Sequence, residues 1–147
     1  MRAYGKKGES QLNANNHNVF LLYYHLVLVT KYRRQWITHE IAEDLEKILR
    51  DVASENKTTI KEIALEKDHV HLLISSNPNT DLAKMIKTMK GRSSYIIRGK
   101  YEYLKEEAKN FWSRSYCLLT TGGAPIDIIR KYIENQGIKK DEKKGGE

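Results

Sequence analysis

The sequence contains a single cysteine, Cys117, among its 147 residues. One cysteine cannot form a disulfide within the chain, and it cannot build a zinc site from thiolates. Any metal ion bound by this chain would need histidine, carboxylate, amide or phosphate ligands. We interpret Cys117 as a small buried hydrophobic residue, because unpaired cysteines are usually buried.

Long hydrophobic runs are also missing. The longest one, from Val19 to Val29, is interrupted by His25 and is shorter than the roughly 20 residues that a membrane-spanning helix needs. The N-terminus lacks the pattern of a secretory signal peptide. These absences predict a cytoplasmic protein that does not associate with a membrane.

Acidic residues are outnumbered by basic ones, 19 to 26, which gives a net charge of +7 and a pI near 9.4. This balance favours a polyanionic partner, because binding to phosphates releases condensed counterions. The charge alone is weak evidence, since many basic domains bind no nucleic acid.

The two ends of the chain are polar. Residues 1–18 are rich in glycine, lysine and asparagine, and residues 139–147 alternate in charge and contain Gly-Gly. We predict a flexible N-terminal arm and a flexible C-terminal tail. Residues 19–138 show no linker or repeat, so we expect them to form one domain.

Hydrophobic spacing predicts an alternation of strands and helices within that domain. The expected order is a strand over 19–30, a helix from Thr38 to about Asn56, strands over 58–67 and 69–75, a helix after the 77–80 loop, a short helix or turn over 101–108, a strand over 111–121, and a last helix beginning at Pro125. This is the order of a ferredoxin-like α+β fold with an added C-terminal helix. We expect a mainly antiparallel sheet with helices on one face.

The segment His69-Val70-His71 lies in one of the predicted strands. Residues two apart in a strand project from the same face, so both imidazoles could reach one metal ion. The competing interpretation is two half-buried polar residues without a ligand. A short His-x-His motif does not decide between these interpretations.

Tyr132 and Gln136 lie four residues apart on the predicted last helix, so they share one face. Both flank the apolar stripe of Ile126, Ile129 and Ile133, where a side chain can line a cleft. The competing interpretation is ordinary packing for the tyrosine and solvation for the glutamine.

Several sequence blocks together resemble one known family. The blocks are Tyr24-His25-Leu26-Val27, Thr30-Lys31-Tyr32-Arg33-Arg34, Asp68-His69-Val70-His71-Leu72-Leu73-Ile74, Lys90-Gly91-Arg92-Ser93-Ser94, Phe111-Trp112-Ser113-Arg114-Ser115-Tyr116 and Tyr132-Ile133-Glu134-Asn135-Gln136. In type and order they resemble the HUH single-tyrosine transposases of the insertion sequence 200/605 family. The resemblance covers roughly residues 18–137, with no departure at a functional motif position.

The resemblance implies a role for each motif residue. His69, His71 and Gln136 would bind a divalent cation, and Tyr132 would be the nucleophile. We expect Mg²⁺ or Mn²⁺ rather than zinc, because an amide oxygen tolerates the harder ions. The substrate would be single-stranded DNA at hairpin-bearing ends of a mobile element, cut and rejoined through a 5′-phosphotyrosine.

The resemblance also implies a homodimer in which the tyrosine helix of one subunit serves the histidine pair of the other. Whether the tyrosine acts in cis or in trans stays open at this point. Gly122-Gly123 precedes the last helix, and we consider either a hinge for that helix or an ordinary turn. The sequence assigns no definite role to Glu66, Asp68 or His25.

Two basic groups are candidates for DNA contact. In the first, cations alternate with aromatic residues, as in surfaces that bind single strands; in the second, cations follow a polar stripe of the central helix. Either group could instead be a solvated surface. The candidates are Lys31, Arg33, Arg34, Lys84, Lys87, Lys90 and Arg92.

The main alternative function is a non-catalytic module that binds single-stranded nucleic acid on a ferredoxin-like sheet. The chain lacks an RNA-recognition signature such as Lys-Gly-Phe-Gly-Phe, which argues against that alternative. A metal-binding regulator without a DNA substrate is disfavoured by the net charge of +7. Replication initiators and relaxases of similar chemistry are usually longer chains.

Overall fold

The computed structural model describes residues 13–14, 19–107, 109–121 and 127–136. Pro125 and the Gly122-Gly123 pair lie outside the described residues. The elements are β1 (Asn13–Ala14), β2 (Val19–Phe20), β3 (Tyr23–Val29), α1 (His39–Glu55), β4 (Thr59–Leu65), β5 (His69–Ser75), α2 (Leu82–Lys100), α3 (Tyr103–Glu107), β6 (Cys117–Thr120) and α4 (residues 127–136).

Strands β4, β5, β3 and β6 form one sheet in that spatial order, and each neighbouring pair is antiparallel. Strand β3 lies inside the sheet, between β5 and β6. Val27 of β3 is opposite His71 on one side and Cys117 on the other. The β-α-β-β-α-β order with this arrangement confirms the predicted ferredoxin-like α+β fold.

Helices α1 and α2 cover one face of this sheet and form the main core. Thr38 caps α1 by accepting a hydrogen bond from the Ile41 N–H, and Asp81 caps α2 in the same way at Lys84. Both helices bury an apolar stripe against the inward residues of β3 and β5. These are Ile41, Leu45, Leu49 and Val52 of α1, Met85, Ile86, Met89 and Ile97 of α2, and Leu26, Leu28, Val70, Leu72 and Ile74 of the strands.

The added helix α4 lies on the opposite face of the sheet. Its Ile129 is buried with Val27, Val29 and Cys117, and its Tyr132 and Ile133 pack against the same cluster. The central strand β3 is therefore covered on both faces. This explains why its sequence is apolar at consecutive positions rather than at alternate ones.

The strand predicted over 111–121 is shorter in the structure. Only Cys117–Thr120 forms β6, while Trp112 makes an isolated bridge with Thr30. Phe111 and Trp112 are both buried, with their rings in an edge-to-face contact at 4.8 Å between centroids. Two consecutive inward side chains break the alternation that a regular strand requires, which ends the ladder here.

Strand β1 falls within the segment predicted to be an N-terminal arm, and it pairs with β2 at the start of the predicted domain. The predicted domain boundaries and C-terminal tail otherwise involve residues outside the described parts of the chain, and they stay predictions. Within the described ranges, no helix combines the length and hydrophobicity needed to cross a membrane.

Candidate functional site: a histidine pair and a tyrosine helix on one sheet face

His69 and His71 project from the sheet face that α4 covers. They are alternate residues of β5, and Val70 between them is fully buried in the core on the other side. This confirms that the two imidazoles share a face. A third imidazole joins them: His25 Nδ1 of β3 lies 2.9 Å from His71 Nε2, and the two ring centroids are 5.0 Å apart.

Asp68 fixes the orientation of the first histidine. Its Oδ1 lies 2.8 Å from His69 Nδ1, and its Oδ2 accepts a hydrogen bond from Arg33 Nε at 3.2 Å. A carboxylate on one ring nitrogen leaves the other, Nε2, directed away and open to a ligand. Arg33, a candidate for DNA contact, is thus engaged in an ion pair at the histidine pair.

The turn after β3 brings Arg33 to this position. Tyr32 and Arg33 both have a φ of 56°, in the left-handed region that side chains rarely adopt. Such conformations cost on the order of 1–3 kcal/mol each and persist only where the surroundings enforce them. Here the turn is tied down by Thr30, whose N–H and hydroxyl both donate to the Asp68 carbonyl, at 3.0 and 3.1 Å.

The electrostatics of the pair suit ligation by neutral imidazole. Burial lowers the pKa of His71 below its ordinary value, and the nearby His25 and His69 lower it further. Burial on its own would raise the pKa of Asp68, but hydrogen bonds from His69 and Arg33 outweigh it and lower that pKa. The lowered pKa favours a neutral His71 imidazole, which is the form that can bind a cation.

Tyr132 and Gln136 lie on α4 and share one face, as their spacing predicts. Both are held by serines of the segment before β6. The Tyr132 hydroxyl is 2.8 Å from Ser115 Oγ, and Gln136 Oε1 accepts hydrogen bonds from Ser113 Oγ at 3.1 Å and Ser115 Oγ at 3.2 Å. Sequence reasoning missed these two serines as site residues, because nothing in a Ser-Arg-Ser segment indicates a contact about twenty residues away.

The phenol of Tyr132 is protonated at neutral pH in this arrangement. Burial raises its pKa above the ordinary value, and the hydrogen bond with Ser115 only partly opposes that rise. A nucleophilic phenol needs the opposite shift or an acceptor for its proton. In this arrangement, which we call the resting arrangement, the Tyr132 phenol is therefore not activated for attack.

The histidines and the tyrosine helix lie side by side across three strands. One row across the sheet consists of His71, Val27 and Cys117. The next row consists of His69 and Val29, and Ser113 extends it because its N–H donates to the Val29 carbonyl. Two strand spacings separate the ends of a row by about 10 Å. Gln136 is thus on the face of the histidine pair but is hydrogen-bonded to serines at the far end of the row.

Two imidazoles and one amide are the candidate ligands for a divalent cation. In the described part of the chain, no three His, Cys, Asp or Glu side chains are grouped as a metal site. The two imidazoles offer nitrogen donors from one face, and a third protein donor would have to be an amide such as Gln136. The histidine pair fits a metal ion, whereas Gln136 joins it only after leaving the serines or from another subunit.

The remaining candidates for DNA contact fall into two groups. Lys31 and Arg34 lie near the Tyr32 ring, at 5.7 and 5.9 Å from its centroid. Lys87 and Lys90 line a groove between α2 and residues 109–116. Arg92 instead forms a two-pronged ion pair with Glu55, at 2.7 and 3.0 Å, and the exposed Lys84 is outside the lining of that groove.

Comparison with known proteins identifies the family. Residues 18–136 match the family described as "Transposase IS200 like". The chain is 39% identical over 123 residues to the ISDra2 transposase TnpA of Deinococcus radiodurans, which covers 82% of this chain and 88% of that protein. The chain belongs to the IS200-like transposase family. The predicted family is thereby confirmed.

Other family members and solved structures agree. The IS200-like chain is 32% identical over 115 residues to the transposase for insertion sequence element IS200 of Salmonella typhimurium, covering 77% of this chain and 75% of that protein. A crystal structure from Deinococcus radiodurans R1, described as that of a transposase, superposes with a TM-score of 0.78 at 35% identity over 84% of this chain and 97% of the other. A REP-associated tyrosine transposase bound to a REP hairpin shares the fold, with a TM-score of 0.53 at 13% identity over 86% of this chain and 74% of that one.

Proposed function

We propose that this IS200-like transposase cleaves and rejoins single-stranded DNA through a covalent bond to Tyr132, assisted by a divalent cation at His69 and His71. The observation that carries the proposal is the meeting of two motifs, far apart in sequence, on one sheet face. A histidine pair oriented by Asp68 lies beside a helix that presents Tyr132 and Gln136. Membership of a transposase family supports DNA cleavage as the reaction class.

The chemistry follows from the groups that the chain supplies. The Tyr132 oxygen attacks phosphorus and forms a phosphotyrosine with the 5′ end that the cut creates. The bond between phosphorus and the 3′ oxygen breaks, and the phenol's proton is lost to an acceptor while the leaving strand gains one as its 3′-hydroxyl. The ester retains the bond energy, so a 3′-hydroxyl from another strand reverses the step and joins the DNA without ATP.

His69 and His71, with Gln136 as the amide donor, would hold the cation, and we propose Mg²⁺ or Mn²⁺. When bound, such an ion neutralises charge on a phosphate oxygen and thereby lowers the barrier to attack by another oxygen. The protein's part is to keep His69 in the tautomer with Nε2 unprotonated and to keep His71 neutral. Asp68 serves the first of these functions, and burial serves the second.

Assembly of this site requires a change from the resting arrangement. Gln136 and Tyr132 must give up the serine hydroxyls, because these hold both side chains about two strand spacings from the histidines. The helix either moves within one subunit or docks on the histidine pair of a second copy. We propose a homodimer with the second arrangement, since the apolar stripe of α4 fits the sheet of an identical copy as well as its own.

The DNA partner is proposed to be a single strand at hairpin-bearing element ends. The REP-associated transposase of the same fold is bound to a hairpin, and this chain carries a net charge of +7. Both observations are compatible with a folded single strand as substrate. The hairpin itself would position the cleavage site rather than be cut.

The deciding experiment uses labelled single-stranded DNA from the element's own end, with Mg²⁺, and detects a denaturation-resistant protein–DNA adduct. We expect the adduct with the wild type and none with Tyr132→Phe or with EDTA. Tyr103→Phe is the matched control, because Tyr103 is an exposed tyrosine of α3 remote from the site. An adduct that persists in Tyr132→Phe would assign the nucleophile elsewhere, whereas DNA binding without any adduct would favour a non-catalytic module.

A further inference from the structure

A groove with a volume of about 610 Å³ runs between α2 and residues 109–116. Its volume lies within the range of roughly 300–1,000 Å³ that is usual for small-molecule and cofactor sites. Neither wall contributes an aspartate or a glutamate to the lining, whereas five basic residues line it: Lys87, Lys90, Arg98, Lys109 and Arg114. The groove is therefore suited to a polyanion.

Two aromatic side chains accompany these cations. Tyr95 of α2 is 80% exposed and Tyr116, on the opposite wall, is 38% exposed. An exposed tyrosine contributes little to folding, since its ring remains in water. Cations that follow a backbone together with open aromatic faces are the combination by which proteins bind unpaired bases.

Gly91 leaves the α2 wall of the groove open. It lies in the middle of that helix, and a Cβ at this position would meet nothing within 4 Å. Glycine in a helix interior costs about 1 kcal/mol relative to alanine. The empty space beside Gly91 therefore leaves room for a ligand to approach the helix backbone.

The groove is continuous with the tyrosine site. Ser113 lines the groove and also donates its hydroxyl to Gln136 Oε1, while Ser115, two residues further, contacts the Tyr132 hydroxyl. Lys90 of the groove donates to the carbonyls of Arg114 and Ser115, at 3.0 and 3.2 Å, and so ties the two walls together. A single strand that left the groove at this end would pass close to Tyr132.

We propose that this groove binds the unpaired nucleotides next to the cleavage site, with bases on Tyr95 and Tyr116 and phosphates on Lys87 and Arg114. This proposal rests on the proposed function for its substrate, but it assigns a binding site separate from the reacting groups. The contacts are to base faces and phosphates, so the groove should bind a single strand with little regard to sequence.

The first test measures binding of a fluorescein-labelled dT20 strand by fluorescence anisotropy in EDTA, so that no cleavage occurs. Gly91→Leu fills the groove and should weaken binding at least about fivefold, the effect of losing one stacked base. Gly91→Ala has a similar helix propensity to the leucine variant but little bulk, and it should bind within about twofold of wild type. Gly99→Leu places the same side chain at the other open glycine of α2, outside the groove lining, and should also bind normally.

The second test separates stacking from charge. Tyr95→Ala should weaken dT20 binding at least about fivefold, and should leave binding of the dA20·dT20 duplex unchanged, because paired bases offer no free face. Lys87→Gln should reduce the slope of log affinity against log salt by about 0.7, the value for one phosphate contact of a single strand. Lys47→Gln removes the same charge from α1, where Lys47 pairs with Asp51, and should leave that slope unchanged.

The outcomes distinguish this proposal from the proposed function. Wild-type affinity in Gly91→Leu and Tyr95→Ala would overturn the groove proposal, even if the Tyr132 adduct forms. Loss of dT20 affinity in both variants would support the groove, even if no adduct is ever found. Equal losses in Gly91→Leu and Gly99→Leu would also overturn it, since they would point to damage to α2 rather than to a filled groove.

Discussion

At the scale of single residues, the geometry of the histidine pair depends on Asp68. One carboxylate contacts both His69 and Arg33, so it connects an imidazole to a turn held at a positive φ. The imidazole is thereby fixed before any ligand arrives, and a ligand that binds it loses little entropy in ordering it. His25 contacts the second histidine at the other ring nitrogen, His71 Nε2.

Replacing Asp68 with alanine should weaken Mn²⁺ binding about 10- to 100-fold, the usual effect of removing a carboxylate behind a metal-binding histidine. Calorimetric titration of the DNA-free protein with Mn²⁺ measures this without reference to activity. Asp51→Asn is a suitable control, because Asp51 lies on α1 and pairs with Lys47. Unchanged affinity in Asp68→Ala, with His69→Ala losing binding, would show that the carboxylate does not position the imidazole.

The residue-scale features differ in how far the sequence could predict them. Strand alternation was sufficient to place His69 and His71 on one face, and helix spacing to pair Tyr132 with Gln136, because both periods are local. The contact between Arg33 and Asp68 was not predictable. It joins residues 35 positions apart through a left-handed turn that no glycine or asparagine marks.

At the scale of elements, α4 is held less firmly than α1 or α2. Ile129 is its one buried hydrophobic residue, and Tyr132 and Ile133 are only half-buried, whereas α1 buries six residues. Elements with few buried contacts open at a smaller free-energy cost than the core. The two serines that bind Tyr132 and Gln136 therefore contribute a large share of what holds this helix on its own subunit.

Substituting alanine for Ser115 should raise amide hydrogen exchange in residues 127–136 by up to about 30-fold, because about two hydrogen bonds at roughly 1 kcal/mol each are lost. Exchange in α1 should stay unchanged. Ser54→Ala is the matched control, since Ser54 is an exposed serine of α1. Equal exchange rates in the Ser115 variant and the wild type would mean that packing at Ile129, not the serine, holds α4.

Helix α2 continues through Gly91, although glycine has a low helix propensity. The buried stripe on both sides of that position, at Met89 and Ile97, compensates for the low helix propensity. Tertiary packing thus outweighs the low helix propensity of glycine, and a local sequence pattern does not show that packing. The shortened β6 has the same origin, because burial of both Phe111 and Trp112 interrupts the predicted alternation.

Exchanging Gly91 for alanine should raise the free energy of unfolding by about 1 kcal/mol, because alanine restricts the unfolded chain and its Cβ meets no neighbour. Urea unfolding measures this change. Gly99→Ala, one residue before the end of α2, should give a smaller gain, since terminal turns fray. A loss of stability in Gly91→Ala would mean that the helix backbone at Gly91 is already in close contact with another part of the protein.

At the scale of the whole molecule, the two faces of the sheet differ: one carries the main core and the other carries the candidate site. Helices α1 and α2 seal the first, while the second carries the histidines and α4. The sequence contained this division in its continuous apolar run from Leu26 to Val29, which is typical of a strand covered on both faces. It could not indicate which subunit supplies the covering helix, because the same apolar stripe fits its own sheet and that of an identical copy.

Mixing two inactive variants tests whether the tyrosine acts in trans. Tyr132→Phe retains the histidine pair, and His69→Ala retains the tyrosine helix, so neither alone should form an adduct with element-end DNA. In a dimer with exchanged helices, the mixture should restore adduct on about a quarter of the sites, because half of the dimers are mixed and each of these has one complete site. The adduct should appear only on the His69→Ala subunit, which keeps the tyrosine and which a size tag identifies. A mixture of Tyr132→Phe with Gln136→Ala should stay inactive, since both changes lie on α4 and no pairing completes a site.

If the first mixture also stays inactive while the wild type forms adduct, the tyrosine acts within its own subunit. Helix α4 must then cross the roughly two strand spacings to the histidines by its own movement.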